Sequence, residues 1–318
     1  MPAIAQAPLR LLLGETEHEL YAELLRQQAP ELELCASDRP DELAAYAASC
    51  PLWLGQPDLL APLLRQGHRP LWLQSTWAGI TPLLASDLPS NYQLTRAVGI
   101  FGQLMAEYVL CHLLAHERQL FARLAAQVEQ RWDQLLPHSL AGRRVLLVGT
   151  GDIGLSVAQL LAPFGLELLG IASRPRVLPP FEEVAGLEDL SRLAAEADYL
   201  INLLPDTPAT RDIYDAALFA VLKPGALFIN TGRGVAVVEA DLVAALQQGQ
   251  LAGAVLDVCR EEPLPAGHPF WTAPQLLLTG HSSAPTEPRL LVQLFLDNLA
   301  RWRAGGELRG LVDFVRGY

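Results

Sequence analysis

The stretch Arg143-Arg144-Val145-Leu146-Leu147-Val148-Gly149-Thr150-Gly151-Asp152-Ile153-Gly154 sets the reading of everything around it. A short apolar run ends in GxGxxG, and the residues after it place Val157, Ala158 and Leu161 at the inner positions of a helix. Strand, glycine turn and helix in that order form a dinucleotide-binding fingerprint. Gly149 permits the tight turn, Gly151 lets a pyrophosphate approach the backbone, and Gly154 lets helix and strand pack closely. The unpaired N–H groups at the helix start then face the phosphates, so Thr150, Asp152 and Ile153 join the three glycines as predicted cofactor contacts.

The following strand ends Gly170-Ile171-Ala172-Ser173-Arg174-Pro175-Arg176. An NAD site usually offers Asp or Glu about 20 residues beyond the fingerprint for the ribose 2′-hydroxyl. Here Ser173, Arg174 and Arg176 stand instead. Arginine pairs with a 2′-phosphate and a Ser hydroxyl can donate to it, which favours NADPH over NADH.

Working outward, Arg144 onward alternates regularly. Strands are expected at 145–149, 167–172, 199–203, 226–230, 253–257 and 276–279, with helices at 153–164, 187–196, 212–222 and 239–248. Strands spaced by roughly 25–30 residues with helices between them predict right-handed crossovers and a buried, doubly wound parallel sheet. Upstream, Leu9–Leu13, Leu32–Cys35, Leu52–Leu54 and Leu71–Leu73 read as strands, and 17–28 and 41–48 as helices. That is a second α/β unit without a phosphate loop. Residues from Ile100 to about Gln130 read as one long helical stretch, suited to an oligomer arm, and Trp132–Gly142 as a surface segment. A last helix is expected over about 287–304. The fold class is therefore α/β, with two Rossmann-like or flavodoxin-like domains. Residues 1–99 plus 286–318 form a smaller outer domain, and the cofactor domain, 100–285, is inserted into it.

Composition bounds the alternatives. The chain has 318 residues, 51% apolar and 18% charged, too apolar for disorder and long enough for a large core. No apolar run approaches the ~18 residues of a membrane helix, and the start, MPAIAQAPLRLLLGE, lacks the basic region of a secretory leader. A net charge of −12 argues against a nucleic-acid surface. Cys35, Cys50, Cys111 and Cys259 are scattered, with no metal-ligand spacing, as expected of reduced thiols in a cytoplasmic protein. Lys223, the only lysine among 23 basic residues, reads as genome bias. No metal site is expected: His112 and His116 stand four apart on a helix without a third ligand. Glu182-Glu183 reads as a solvated turn, Trp53 and Trp72 as core, and Trp302 as a face of the last helix.

Three segments close candidate strands, at the edge where open α/β sheets bind ligands. They are Asn230-Thr231-Gly232-Arg233-Gly234, Asp257-Val258-Cys259-Arg260-Glu261-Glu262-Pro263 and Leu278-Thr279-Gly280-His281-Ser282-Ser283-Ala284. With the glycine loop, in this order and spacing, they resemble the D-isomer-specific 2-hydroxyacid dehydrogenase family. The resemblance is dense from Leu140 to Ala284 and thin before Trp77. Residues Leu200–Thr210 and the closing Val312-Asp313-Phe314-Val315-Arg316-Gly317-Tyr318 are most similar to its glyoxylate/hydroxypyruvate reductase A branch.

The resemblance implies a hydride transfer from NAD(P)H to a small 2-keto acid, giving the D-2-hydroxy acid. It implies Arg233 as the substrate arginine, His281 as the general acid and Glu262 as the carboxylate that orients it. A planar cation suits a carboxylate and its neighbouring carbonyl, and an imidazolium of near-neutral pKa can give and recover a proton. It further implies Trp77, Ala78, Gly79 and Ile80 as a substrate-binding loop, Asp257 as the holder of the nicotinamide carboxamide, and Leu204, Pro205, Thr210, Thr231 and Gly232 as cofactor lining. The active site is expected in an interdomain cleft, and a homodimer is the family's habit. Gly280 stands where relatives carry Pro, and Thr81 where many carry Asp. Two other readings stay open: another dehydrogenase of the family, of phosphoglycerate, formate or phosphite type, and a nicotinamide-sensing protein resembling the corepressors of this fold.

Overall fold

The computed structural model describes residues 9–317; residues 1–8, where most of the leader reading falls, and Tyr318 of the closing motif lie outside them. The chain divides into two compact units. One takes the chain up to Ile100 and again from Thr286; the other is the continuous segment Phe101–Pro285.

The first unit is built on β1 (Arg10–Gly14), β2 (Glu33–Ser37), β3 (Leu52–Gly55), β4 (Trp72–Ser75) and β5 (Gln93–Thr95), interleaved with helices α1 (His18–Gln28), α2 (Pro40–Ala47) and α3 (Pro57–Arg65). The sheet is parallel, in the order β2-β1-β3-β4-β5. β3 and β4 are buried along their whole length, as strands covered on both faces must be. The last helix, Pro288–Arg303, returns the chain to this sheet. Phe295 stacks on Trp72 at 5.2 Å, and Asn298 donates to Gln74 Oε1 at 3.0 Å. Trp53 and Trp72 are core, and Trp302 packs from its helix against Trp72 at 6.4 Å, as the sequence predicts.

The second unit holds α4 (Gly102–Glu117), α5 (Leu120–Val128), β6 (Arg144–Val148), α6 (Asp152–Leu161), β7 (Glu167–Ile171), β8 (Glu183–Ala185), α7 (Leu190–Ala194), β9 (Tyr199–Asn202), α8 (Ala216–Val221), β10 (Ala226–Asn230), α9 (Glu239–Gln247), β11 (Leu251–Leu256) and β12 (Leu276–Leu278). Its seven strands run parallel in the order β12-β11-β10-β9-β6-β7-β8. Strand order reverses between β6 and β9, so the loops after these two strands diverge to opposite faces and open a crevice. Two apolar cores lie on either side of the sheet, one around Phe228, Tyr214 and Leu242, the other around Leu147, Val157 and Ile229.

Several elements depart from the sequence expectations. The helical stretch from Ile100 breaks at Gln119, which adopts φ +52 and separates α4 from α5. Helix 212–222 shrinks to α8: Asp212 lies at φ +55, and Asp215 caps the helix by accepting from Leu218 N at 2.9 Å. A side chain that captures a backbone N–H fixes a start that apolar spacing does not mark. Glu182-Glu183 is not a free turn: Glu183 opens β8, an edge strand pairing with β7, and pairs with Arg192 at 2.6 Å. β5 and β8 have three residues each, too few for an alternation to register.

Candidate active site

The second unit gathers six loops at the carboxyl edge of its sheet. After β6, Gly149 turns at φ +111 against the backbone of Leu203, in the crevice between β6 and β9. A Cβ on Gly154 would lie 2.0 Å from the Gly149 carbonyl oxygen, so α6 starts pressed onto the glycine turn. A Cβ on Gly151 would meet nothing within 4 Å. Open space above the turn, faced by the first N–H groups of α6, is a cradle that a pyrophosphate fits.

After β7, Ser173, Arg174 and Arg176 are exposed. Arg176 donates to Thr150 through its carbonyl, at 2.7 Å, and its hydroxyl, at 3.1 Å, tying this loop to the glycine turn. Arg174 makes no hydrogen bond or ion pair with the described residues. Its guanidinium faces solvent at the place where an adenosine ribose ends in this fold.

After β9 and β10, two fully buried asparagines shape the lining. Asn202 Nδ2 donates to Asn230 Oδ1 at 2.8 Å, while Asn202 Oδ1 accepts from Leu204 N and from Tyr214 Oη, both at 3.0 Å. Asn230 Oδ1 also accepts from Gly232 N at 3.1 Å, and its amide donates to the Arg233 carbonyl at 3.2 Å. Leu204 and Gly232 are thus set by side chains that the motif reading passed over. A polar residue closing an otherwise apolar strand, seen in both Leu200-Ile201-Asn202 and Phe228-Ile229-Asn230, was the available signal. Thr210 closes its own loop, its hydroxyl donating to the Pro205 carbonyl at 2.7 Å and accepting from Thr207 N at 2.9 Å.

The reactive groups follow on β10, β11 and β12. A Cβ on Gly234 would fall 1.9 Å from the Cys259 carbonyl carbon, so the turn carrying Arg233 rests on the backbone that leads to Glu262. Glu262 Oε2 meets His281 Nδ1 at 2.7 Å, and Glu262 Oε1 accepts from Cys259 N at 2.8 Å. The hydrogen bond that His281 Nδ1 donates to Glu262 raises the pKa of the histidine against the opposing effect of burial, and the carboxylate charge adds to the rise. Burial pushes the Glu262 carboxyl up, but the bonds from His281 and Cys259 N and the charges of His281 and Arg233 outweigh it and hold the carboxyl below its ordinary range. The Arg233 guanidinium donates to the Gly232 carbonyl at 2.6 Å, and its charge is felt by both partners of the pair. Burial pushes the Cys259 thiol up to about 11, so it is no thiolate nucleophile near neutrality. Arg233, Glu262 and His281 therefore come together, next to the loops that line the dinucleotide cradle.

Asp257 is buried. Oδ1 accepts from Thr279 Oγ1 (2.7 Å) and Ser282 N (2.8 Å), and Oδ2 from Ser283 Oγ (2.5 Å), while Ser283 N lies 3.2 Å from both oxygens. In the first unit, the loop after β4 carries Trp77–Ile80. Trp77 N donates to Ser75 Oγ at 3.0 Å, whereas the N–H groups of Ala78, Gly79 and Ile80 bond to no described residue. His112 packs edge-on to Tyr108, and His116 to Tyr199.

A nucleotide cradle at a switch point, with an arginine and a carboxylate-paired histidine on neighbouring strand ends, defines a nicotinamide-dependent dehydrogenase of keto and hydroxy acids. The family described as D-isomer specific 2-hydroxyacid dehydrogenase, NAD binding domain, matches residues 110–283. A glyoxylate/hydroxypyruvate reductase A of Serratia proteamaculans is 37% identical over 248 residues, 76% of this chain and 79% of its own. That of Photorhabdus laumondii is 33% identical over 301 residues, 92% of this chain and 94% of its own. Among solved structures, a D-isomer specific 2-hydroxyacid dehydrogenase family protein from Aeromonas salmonicida superposes with a TM-score of 0.90 at 37% identity, covering 96% of this chain and 99% of its own. An NADPH-dependent glyoxylate/hydroxypyruvate reductase from Sinorhizobium meliloti, in complex with NADP and sulfate, does so with a TM-score of 0.86 at 30% identity, covering 98% of this chain and 100% of its own. The chain belongs to the D-isomer specific 2-hydroxyacid dehydrogenase family and is an NAD(P)-dependent enzyme.

Proposed function

We propose that this enzyme reduces small 2-keto acids of the glyoxylate and hydroxypyruvate class to D-2-hydroxy acids, with NADPH preferred. The observation that carries the reading is the Glu262–His281 pair at 2.7 Å, within the field of Arg233 and beside the glycine cradle. The dinucleotide supplies the hydride. Arg233 binds the substrate carboxylate and polarises the ketone oxygen, where negative charge grows as the hydride arrives. Glu262 holds the Nδ1 proton of His281, which leaves the Nε2 proton to be given to that oxygen. Release of the hydroxy acid leaves a neutral imidazole that regains its proton from solvent. The N–H groups of Ala78, Gly79 and Ile80 are assigned to the carboxylate end of the substrate. Thr210 is assigned to closing the cofactor loop.

The cofactor preference rests on the unpaired Arg174, on the absence of an acidic residue among 173–176, and on relatives that are NADP complexes. The assembly is proposed to be a homodimer through residues 114–136. In this stretch Leu120, Phe121, Leu124, Val128, Trp132 and Leu136 are exposed, Trp132 at 91%. Contiguous apolar surface of this extent marks an association site, and a two-fold dimer is the commonest solution. A cytoplasmic location is proposed from the free cysteines; among the described residues no helix is long and apolar enough to cross a membrane.

The test is nucleotide absorbance with glyoxylate or hydroxypyruvate, run with NADPH and NADH in parallel. Oxidation with NADPH preferred supports both parts; preference for NADH removes Arg174 from the argument; no oxidation of either overturns the substrate assignment. Arg174→Asp is expected to move the NADPH/NADH ratio of kcat/KM toward NADH, and an unchanged ratio would remove this residue from cofactor selection.

A further inference from the structure

We infer that Tyr108 and Thr279 are positioning residues for the acid His281, acting through Asp257, whose carbonyl and carboxylate hold the histidine loop. This deepens the reading of His281 as proton donor and rests on it.

The loop after β12 needs such a fixture. Gly280 and His281 both adopt left-handed backbone, at φ +66 and φ +56. Two consecutive residues there, one of them with a Cβ, are sparsely populated unless surrounding contacts enforce them. Asp257 supplies those contacts. Its carbonyl accepts from His281 N at 2.6 Å, and its carboxylate takes Thr279 Oγ, Ser282 N, Ser283 N and Ser283 Oγ. Oδ1 carries Thr279 Oγ1, Ser282 N and a share of Ser283 N, whereas Oδ2 carries Ser283 Oγ and the other share, which leaves Oδ2 room for one further donor.

The direction of the remaining bonds follows from that. Asp257 only accepts, so the Thr279 hydroxyl donates to it; Thr279 Oγ1 must then accept from Tyr108 Oη at 2.8 Å, 171 residues away in sequence. Burial keeps the Tyr108 phenol protonated, as a donor must be. Tyr108 stands on α4, which packs along α6, the helix that opens on the glycine cradle; a Cβ on Gly102 would meet Ser156 Oγ at 2.2 Å. The relay Tyr108–Thr279–Asp257 therefore fixes the loop of the acid to the same helix layer that carries the nucleotide loop. Displacement of a catalytic group by about 1 Å can cost ~10²-fold in rate, so a loop held at one end only would be felt in kcat.

The experiment compares Tyr108→Phe, Thr279→Val, Thr279→Ser and Asp257→Asn with His281→Ala in the full-length enzyme. It measures kcat, KM for the keto acid, the melting temperature, and the NADPH dissociation constant by fluorescence titration. Expected are losses of kcat on the order of 10-fold for Tyr108→Phe and Thr279→Val, with KM and nucleotide affinity within about twofold, and rescue in Thr279→Ser, which keeps the hydroxyl. Asp257→Asn, which turns one acceptor of the relay into a donor, should lose kcat at least as strongly as Thr279→Val. Wild-type kcat in both Thr279→Val and Tyr108→Phe, or Thr279→Ser as impaired as Thr279→Val, would overturn the relay. Unchanged kcat in Asp257→Asn would overturn it as well. If His281→Ala is itself fully active, the proton-donor reading has failed and the relay falls with it. A silent Thr279→Val beside an inactive His281→Ala isolates the failure to the relay.

Discussion

At the residue scale the proposed chemistry rests on the charges of Arg233, Glu262 and His281. Arg233→Ala removes the fork assigned to the keto acid and is expected to lose most of kcat/KM. His281→Ala removes the proposed proton donor and is expected to lower kcat by ~10²–10⁴-fold. Steady-state kinetics read both, and near-normal turnover would withdraw the corresponding role. The raised pKa of His281 has a sign in the pH profile. Reduction needs the imidazolium, so the rate should hold on the acid side and fall as pH rises through the raised value. Glu262→Gln takes away the first cause of that rise, and the alkaline limb should move to lower pH; an unmoved limb would mean that another group sets it. Linkage runs the same way for stability. The histidine's contribution is complete below its ordinary pKa and is lost as pH rises through the raised one. That of Glu262, whose carboxyl is held low, is present above the ordinary carboxylate range and is lost as pH falls through the lowered value. Both groups are more than a third exposed, so solvent screens the pair and its effect is better sought in kinetics than in melting curves.

Among the elements, the site depends on strand ends held in register by contacts that have no room for a side chain. Gly234 is the test case. Its Cβ would overlap the Cys259 backbone, so Gly234→Ala must push the β10 loop away from the β11 loop and part Arg233 from the Glu262–His281 pair. The expected result is a destabilisation of roughly 1–3 kcal/mol, seen as a lowered Tm, with kcat reduced on the order of 10²-fold and nucleotide affinity retained. The strands were legible because Leu146-Leu147-Val148 and Phe228-Ile229-Asn230 are short apolar runs bounded by turn residues. Helix continuity was not legible at Gln119, where a good helix former takes a left-handed conformation that no local signal announces. Nor was β8, whose Glu183 reads as surface until β7 is there to pair with it.

At the scale of the whole molecule, a chain of net charge −12 leaves an apolar strip exposed along 114–136. A second copy is the proposed cover, and sedimentation should give a dimer. Phe121→Asp with Leu124→Asp places charge on that strip and should yield monomers that keep their fold by circular dichroism. A wild-type monomer would overturn the dimer, and a dimer that survives both substitutions would move the interface elsewhere.

The sequence by itself determined the α/β class and the glycine turn, and through its family resemblance it nominated Arg233, Glu262 and His281 for the roles proposed above. The first two are written in local pattern, as period and glycine spacing. Tertiary structure alone decided what holds those groups in place. The Asn202–Asn230 bond joins residues 28 apart and the Tyr108–Thr279 bond residues 171 apart. A hydroxyl or an amide acquires a role only when folding removes water from around it and leaves a single partner within reach. Until then Tyr108 and Thr279 are an ordinary helix tyrosine and an ordinary strand-end threonine.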